Sequence, residues 1–507
     1  MERHLFLDDA HMDRMQGLER RGHAARRYAG NPLLTRQFPW EQCRLQLYGR
    51  SVLYNAERRL YQMFYLSQPG TSHYPNLRVG GKVKVGFATL PSYAESLDGI
   101  HWERPLRPDV PFEDSPLTNL LDLTLGQSFE PGLLWDPDDP DPSRRYKAFV
   151  WDQRFSLPRP GKLAHRRAVP SLAFPRGLIL SQQILDDAGE AVYEERYDDQ
   201  GMLVAFSADG IRWRTHPDWV MRCYSDTGHS VLYDAARRTY VAYGRFNQQR
   251  DSPAFYIGRN VARVESTDFV HWSAPELVLA GDDQDPDSFQ INSMPVDRYE
   301  GIFIGLMEVD VRPHPDPSRP LQLATSRDGR HWTRVADRQP FVEEATPGAW
   351  DCSDGGAPAE PARGRSFIRP ATGLFPVAGE VRMYYSNTSG PQAFSGVGLA
   401  TWRRDGFVSL HGGPAGGELL TRAFVPTGPE LHLNVGASAG RVTVRVADFQ
   451  GRPLAGWRID QPSEPIGGDH LDTVVRWPDS DFGQRVGKAT TLRIALRDAD
   501  LYSYWTQ

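Results

Sequence analysis

S-L-D-G-I-H-W at Ser96–Trp102 returns as S-A-D-G-I-R-W at Ser207–Trp213, S-T-D-F-V-H-W at Ser266–Trp272 and S-R-D-G-R-H-W at Ser326–Trp332, with a degenerate fifth copy, W-R-R-D-G-F-V, at Trp402–Val408. Each copy follows a short apolar run, such as M-L-V-A-F at 202–206 or L-Q-L-A-T at 321–325. Asp-Gly favours a tight turn, so the pattern predicts a strand, a turn and an outer strand whose Trp covers that turn. A second pattern precedes each copy: an apolar strand, an Asp- or Asn-containing turn and an aromatic-rich partner strand. S-V-L-Y-N-A-E-R-R-L-Y at 51–61 and S-V-L-Y-D-A-A-R-R-T-Y at 230–240 are two examples. Together the two patterns make a four-stranded unit, and five such units predict an all-β, five-bladed β-propeller.

Spacing refines the organisation. Asp209, Asp268 and Asp328 lie about 60 residues apart, one blade each, whereas the gap from Asp98 to Asp209 holds an insertion at about 155–197. Long loops are usually functional, and this one is expected either to cover part of the channel mouth or to form a surface excursion. From Leu410 the turns disappear. Alternating runs such as E-L-H-L-N-V at 430–435, R-V-T-V-R-V at 441–446 and T-L-R-I-A-L at 491–496 predict a C-terminal β-sandwich over 410–507. It reads as a structural companion of the propeller, sugar binding through exposed aromatics being its alternative role. The propeller is then 1–409, including an N-terminal arm at 1–40.

The chain has 507 residues with 58 Lys and Arg against 64 Asp and Glu, a formal charge of −6. That balance is wrong for a general nucleic-acid binder, which needs a basic face. No run of about 18 apolar residues offers a membrane span. The opening M-E-R-H-L-F-L-D-D-A-H has acids where a signal peptide has its apolar core, so a cytoplasmic location is expected. Cys43, Cys223 and Cys352 are few and widely spaced, which suits buried thiols in a reducing compartment. Lysine occurs only at 82, 84, 147, 162 and 488, a bias typical of GC-rich coding. D-P-D-D-P-D-P at 136–142 resembles a cation loop, but its prolines favour a rigid turn. Nucleotide, zinc-protease and serine-hydrolase motifs are absent.

In a propeller the first strands of all blades line one channel, so residues entering them converge. The entrances carry Trp40 and Glu41 in blade 1, Glu130 in blade 2, Asp226 and His229 in blade 3, Asn292 in blade 4, and Trp350, Asp351 and Asp354 in blade 5. An acid before a strand is ordinarily a turn residue. Its recurrence at matching points of a radial fold predicts a carboxylate cluster, with Glu41, Glu130, Asp226 and Asp351 as catalytic candidates. Paired carboxylates suit glycosidic-bond cleavage, one staying protonated to donate to the leaving oxygen and another ionised as base or nucleophile. Trp40, Tyr224 and Trp350 offer stacking faces for sugar, or else core packing. Arg245 and Glu308, ending the second strands of blades 3 and 4, project to the same side and complete the substrate-binding candidates with His229 and Asn292.

The five-blade order, the D-G-x-x-W turns and the terminal sandwich resemble the superfamily of glycoside hydrolase families 32 and 43. The resemblance extends to L-F-L-D-D (5–9), N-P-L-L (31–34), P-W-E (39–41) and the closing L-R-D-A-D-L-Y-S-Y-W (496–505), which look like a bacterial branch similar to family 32. It implies an O-glycosyl hydrolase acting on a fructofuranoside, arabinofuranoside or related oligosaccharide or small glycoside. By position it implies three acids, Glu41, Glu130 and Asp226, as nucleophile or base, modulator and general acid. The W-M-N-D-P-N-G, R-D-P and E-C motifs of family 32 are absent from this chain. No cofactor or catalytic metal is expected, although a structural calcium in the channel fits such propellers. Two alternatives remain: a propeller that binds glycans without cutting them, and a phosphorylase using Arg245, His229 and Arg154 for phosphate.

Overall fold

In the computed structural model, the described residues are 3–507 except 43, 69–73, 80–81, 87–89, 124–130, 154–164, 171–178, 186–190, 197–199, 224, 226, 247–258, 288, 312–320, 343–348, 352–367, 388–394, 449, 451, 453, 455–456 and 458–460. Five antiparallel sheets follow one another along the chain. Their inner strands are Val52–Asn55, Gly132–Trp135, Ser230–Asp234, Val296–Tyr299 and Ile368–Val377, each touching the next and the fifth touching the first. The ring is therefore closed: a five-bladed β-propeller. Blade 5 takes its outer edge from the other end of the chain, because Arg26–Arg27 and Leu34–Thr35 both pair with Gly396–Arg403.

The repeated heptads build the joints between blades. In four copies the Ser hydroxyl and Asp carboxylate accept backbone N–H groups at fixed positions; Asp98 Oδ1 accepts from Ile100 and His101, both at 2.8 Å. The turn needs a left-handed residue after Asp, supplied by Gly99, Gly210 and Gly329, while Phe269 adopts φ +68° in the third copy. Each Trp does more than cover its turn. Trp102, Trp213, Trp272 and Trp332 pack on Tyr384, Phe64, Phe149 and Tyr243, the matching second-strand aromatics of the preceding blades, with ring centroids 4.5–6.2 Å apart. The pattern is thus an inter-blade wedge as well as a turn.

The insertion in blade 2 carries its own three-stranded sheet, His165–Pro170, Ile179–Leu185 and Ala191–Arg196. Blade 1 carries an unforeseen hairpin, Tyr74–Val79 with Lys82–Gly86.

The remaining strands form one nine-stranded sheet with its own core, including Leu433, Val444, Ile494 and Leu501. The N-terminal segment, grouped above with the propeller, departs from that expectation: Met12–Gln16 pairs with Gly417–Thr421, and Leu18–Gly22 pairs with Val408–Gly412. These strands are opposite ends of the sheet path yet only Gly17 separates them in sequence. The sheet is consequently wrapped around its core. The apolar residues of 5–12 explain the choice, since Phe6 and Met12 are buried in that core.

The degenerate fifth turn joins sheet to propeller. Asp405 Oδ2 accepts from Arg3 at 2.7 Å and Ser503 at 2.6 Å, while Oδ1 accepts from Tyr299 of blade 4 at 2.6 Å. Burial and the Asp405 charge push the Tyr299 hydroxyl well above its usual range, so it remains a donor. Arg3 also lies over Trp505, 3.6 Å from the ring centre. Cys43 and Cys352 lie outside the described residues; Cys223 is buried, and burial pushes its thiol up to about 12.

Two outcomes are expected. Asp405→Asn weakens three charge-assisted bonds in a buried site and should lower unfolding free energy by about 2–4 kcal/mol, measured by urea denaturation. Although partial burial pushes the other way, hydrogen bonds within the turns hold the Asp98, Asp268 and Asp328 carboxyls well below the usual range. Their stabilisation is full above about pH 4 and fades as pH falls further. Asp328→Asn should therefore flatten the acid limb of a thermal-unfolding profile.

Candidate functional site

The strand registers align the second strands of the blades. Asn55↔Leu60, Asp234↔Thr239, Tyr299↔Ile302 and Val377↔Glu380 open the five hairpins at equivalent positions, together with the Asp136–Arg145 turn. Counting six residues along from each opening, Leu66, Trp151, Arg245, Glu308 and Ser386 occupy one ring position. Two members of this ring, Arg245 and Glu308, stand in neighbouring blades 3 and 4.

Both reach Asn292. Arg245 Nη2 donates to the Asn292 carbonyl at 2.7 Å, and Asn292 Nδ2 donates to Glu308 Oε2 at 2.9 Å. Arg259 Nη1 donates to Asn292 Oδ1 at 2.6 Å, and the Thr227 hydroxyl donates to the Asn292 carbonyl at 2.9 Å. Ser293 adds a longer bond to Glu308 at 3.4 Å. Beside this group, Ser225 Oγ and His229 Nε2 lie 2.8 Å apart, while the Arg245 and Phe246 N–H groups donate to the same Ser225 oxygen. The Ser225 oxygen accepts those two bonds, which leaves its hydrogen for the imidazole. The His229 ring stacks against Phe246 at 5.7 Å.

His229, Arg245, Asn292 and Glu308 are thus brought into one cluster, all nearly or fully buried. Ser225, Thr227 and Arg259 join them without having been singled out. Arg259 just precedes the third strand of blade 3, an entrance as close to this face as the first-strand entrances are.

The cluster rests on the propeller axis. Gly49 (φ +53°) lies against the His229 backbone, where a Cβ would collide, and the next residue, Arg50, donates its N–H to the His229 carbonyl at 2.8 Å. Arg50 Nη1 continues to Asp297 of blade 4 at 3.1 Å.

Glu41 and Asp351 are held elsewhere. The buried Glu41 carboxylate accepts from Gln37 N at 2.8 Å, Phe38 N at 3.2 Å, Tyr65 OH at 2.6 Å and Arg104 Nη1 at 3.3 Å. Burial first, then the Glu41 charge, push the Tyr65 hydroxyl well above its usual range. Trp40 donates to Asn119 at 2.8 Å, and Asn119 Nδ2 donates to Tyr65 OH and to the Tyr93 carbonyl. Blade 5 repeats this arrangement. Asp351 Oδ2 accepts from Tyr385 OH and Arg27 Nε, both at 2.8 Å; Asn31 Nδ2 donates to Tyr385 OH and the Leu399 carbonyl; Trp350 stacks on Tyr385. Tyr65 and Tyr385 occupy the same register position. Each acid thus bonds a second-strand tyrosine of its own blade and an arginine, and in blade 5 that arginine, Arg27, belongs to the outer strand. Trp40 and Trp350 are packed in those same clamps.

Glu130 and Asp226 lie outside the described residues, as do Tyr224, Arg154 and Asp354. Asp226 falls in sequence between Ser225 and Thr227, both members of the cluster. Among the described residues no group of three or more His, Cys, Asp or Glu is arranged to hold a metal ion, and no helix is long and apolar enough to cross a membrane.

Glu41→Gln should lower stability by about 2–4 kcal/mol, since it removes a buried charge paired with Arg104 and bonded to Tyr65. Tyr65→Phe should give a smaller loss in the same direction. A thermal-unfolding series on the two variants checks both; an unchanged midpoint for Glu41→Gln would contradict the clamp.

No protein-family model and no curated protein matches the chain. Among solved structures it is similar to a glycosyl hydrolase from Bacteroides ovatus, with TM-score 0.43 and 13% identity, covering 76% of this chain and 94% of that one. It is similar to a β-1,2-mannobiose phosphorylase from Listeria innocua, with TM-score 0.43 and 10% identity, covering 74% and 96% respectively. It is also similar to an N-acetylgalactosamine deacetylase from F. plautii solved with blood group B trisaccharide, with TM-score 0.38 and 14% identity, covering 77% and 96%.

Proposed function

We propose that the protein is a glycoside hydrolase whose reaction takes place at the polar cluster between blades 3 and 4. The observation that carries this reading is the convergence of His229, Arg245, Asn292 and Glu308 on one buried network beside the axis. Such a network supplies fixed donors for sugar hydroxyls and holds a carboxylate in place without solvent reorganisation. Asp226, flanked by Ser225 and Thr227, is the proposed general acid, protonating the glycosidic oxygen as its bond to the anomeric carbon breaks. Glu130, entering the inner strand of blade 2, is the proposed partner carboxylate, acting on that carbon directly or through water. Glu308, already bonded to Asn292, is assigned to binding and orienting the sugar. Glu41 and Asp351, by this reading, support blades and do no chemistry. The substrate class is a fructofuranoside, arabinofuranoside or related glycoside.

Phosphorolysis is the second reading. Arg245 reaches the Asn292 main-chain carbonyl at 2.7 Å and Arg259 the Asn292 side-chain oxygen at 2.6 Å, with His229 close by, and two guanidinium groups gathered at one residue make a site where an anion is welcome. In that reaction phosphate oxygen, not water, takes the anomeric carbon.

A screen of aryl glycosides and oligosaccharides, run with and without phosphate, separates the two. Turnover independent of phosphate supports hydrolysis. Asp226→Asn should reduce kcat by about 10²–10⁴-fold. Glu308→Gln should raise KM more than it lowers kcat. Full activity in Asp226→Asn would overturn the assignment.

A further inference from the structure

The outer face of the C-terminal sheet carries an arrangement that folding does not require. Within Leu431–Ala447 and its neighbour Thr491–Arg497, Val442, Val444, Val446, Leu492, Ile494 and Leu496 point into the core. Strand alternation places the residues between them on the opposite face. There the register sets Arg441 directly across from Arg497, and Arg445 directly across from Arg493. Like charges facing each other across strands are destabilising, and two such pairs stand side by side. The pairs are four positions apart, about 13 Å along the strand. Arg441 and Arg497 are exposed. Among the described residues, Glu418 accepts from Arg493 at 3.3 Å and Arg497 Nε donates to the Pro414 carbonyl at 2.9 Å. A groove of about 500 Å³ runs beside the arginines, and Glu418 is the only acid among the described residues lining it.

We infer that this face binds an acidic polysaccharide bearing carboxylate groups, holding a long uronate-containing chain by its anionic groups. Guanidinium forks take carboxylates in bidentate fashion, and a row of them matches charges repeated along an extended polymer. The described groove residues include no aromatic, so the stacking platform that single-stranded nucleic acids use is missing. The choice of polysaccharide rests on the glycan reading of the propeller, whereas the anion site rests on the arginines alone.

Affinity electrophoresis of the full chain in gels containing polygalacturonate, neutral galactan or neither tests this, with single-stranded DNA as competitor. The protein should be retarded by polygalacturonate alone, and less so as salt rises from about 50 to 200 mM. The double variant Arg441→Gln and Arg497→Gln should lose about tenfold or more in affinity while its thermal midpoint stays level or rises, because the facing like charges are removed. Glu418→Gln should bind more tightly. Equal retardation of the double variant, retardation by neutral galactan, or stronger competition by DNA than by free polygalacturonate overturns the inference. Retention of polygalacturonate binding in a protein that turns over no glycoside would sink the propeller reading and leave this one standing.

Discussion

Arg50 ties all five blades together at the axis. It belongs to blade 1, its carbonyl accepts the N–H of Leu133 in blade 2, and its own N–H donates to His229 at the entrance of blade 3. Its guanidinium pairs with Asp297 of blade 4, whose second oxygen accepts the N–H of Leu374 in blade 5 at 2.8 Å. Both side chains are mostly buried. A buried pair of this kind adds little net energy over an apolar substitute, but losing one partner strands a charge. Its contribution is therefore geometric. It fixes where the five inner strands begin, and the His229 cluster sits on the residue that Arg50 holds.

Around that centre the packing is periodic. Each Trp of the repeated turn fills the space against an aromatic of the blade before it, so the same seven residues specify both the end of one blade and its seating on another. This is why the propeller was legible from sequence. Turn chemistry and a bulky aromatic recur at a fixed offset, and both act locally. The departure at 1–22 has the opposite cause. Met12–Gln16 and Leu18–Gly22 find partners some four hundred residues away, and nothing within those short segments distinguishes an outer propeller strand from an edge of the wrapped sheet.

The site was legible in part for a similar reason. Residues entering inner strands and ending second strands do gather on one face, as His229, Arg245, Asn292 and Glu308 illustrate. An acid before a strand carries no mark of its employment, however. Glu41 and Asp351 satisfy the same pattern while binding Tyr65 and Tyr385 within their own blades. The telling signal lay in their partners: W-E with Tyr65 and Asn119, and W-D with Tyr385 and Asn31, are two copies of one clamp assembled from distant segments. Arg259 escaped notice because attention to first and second strands leaves the third-strand entrance unread, and Ser225, at the first-strand entrance of blade 3, because only the charged or titratable residues beside it were read.

The seam between the two ends of the chain has a kinetic consequence. Arg3 reaches Asp405 across 402 residues, and Leu399 bonds Asn31 across 368. During synthesis the first thirty-five or so residues emerge long before the strands that receive them. Blades 2 to 4 are built from neighbouring hairpins and can form as they are made, while blade 5 must await Gly396–Arg403 to receive residues 26–35, and the wrapped sheet must await Ala499–Thr506. Closure is thus a late event of high contact order, with loop entropy opposing it until both ends are in hand. Until then the propeller is an open arc whose terminal blades expose unpaired strand edges, the stage at which the chain is most prone to associate with copies of itself.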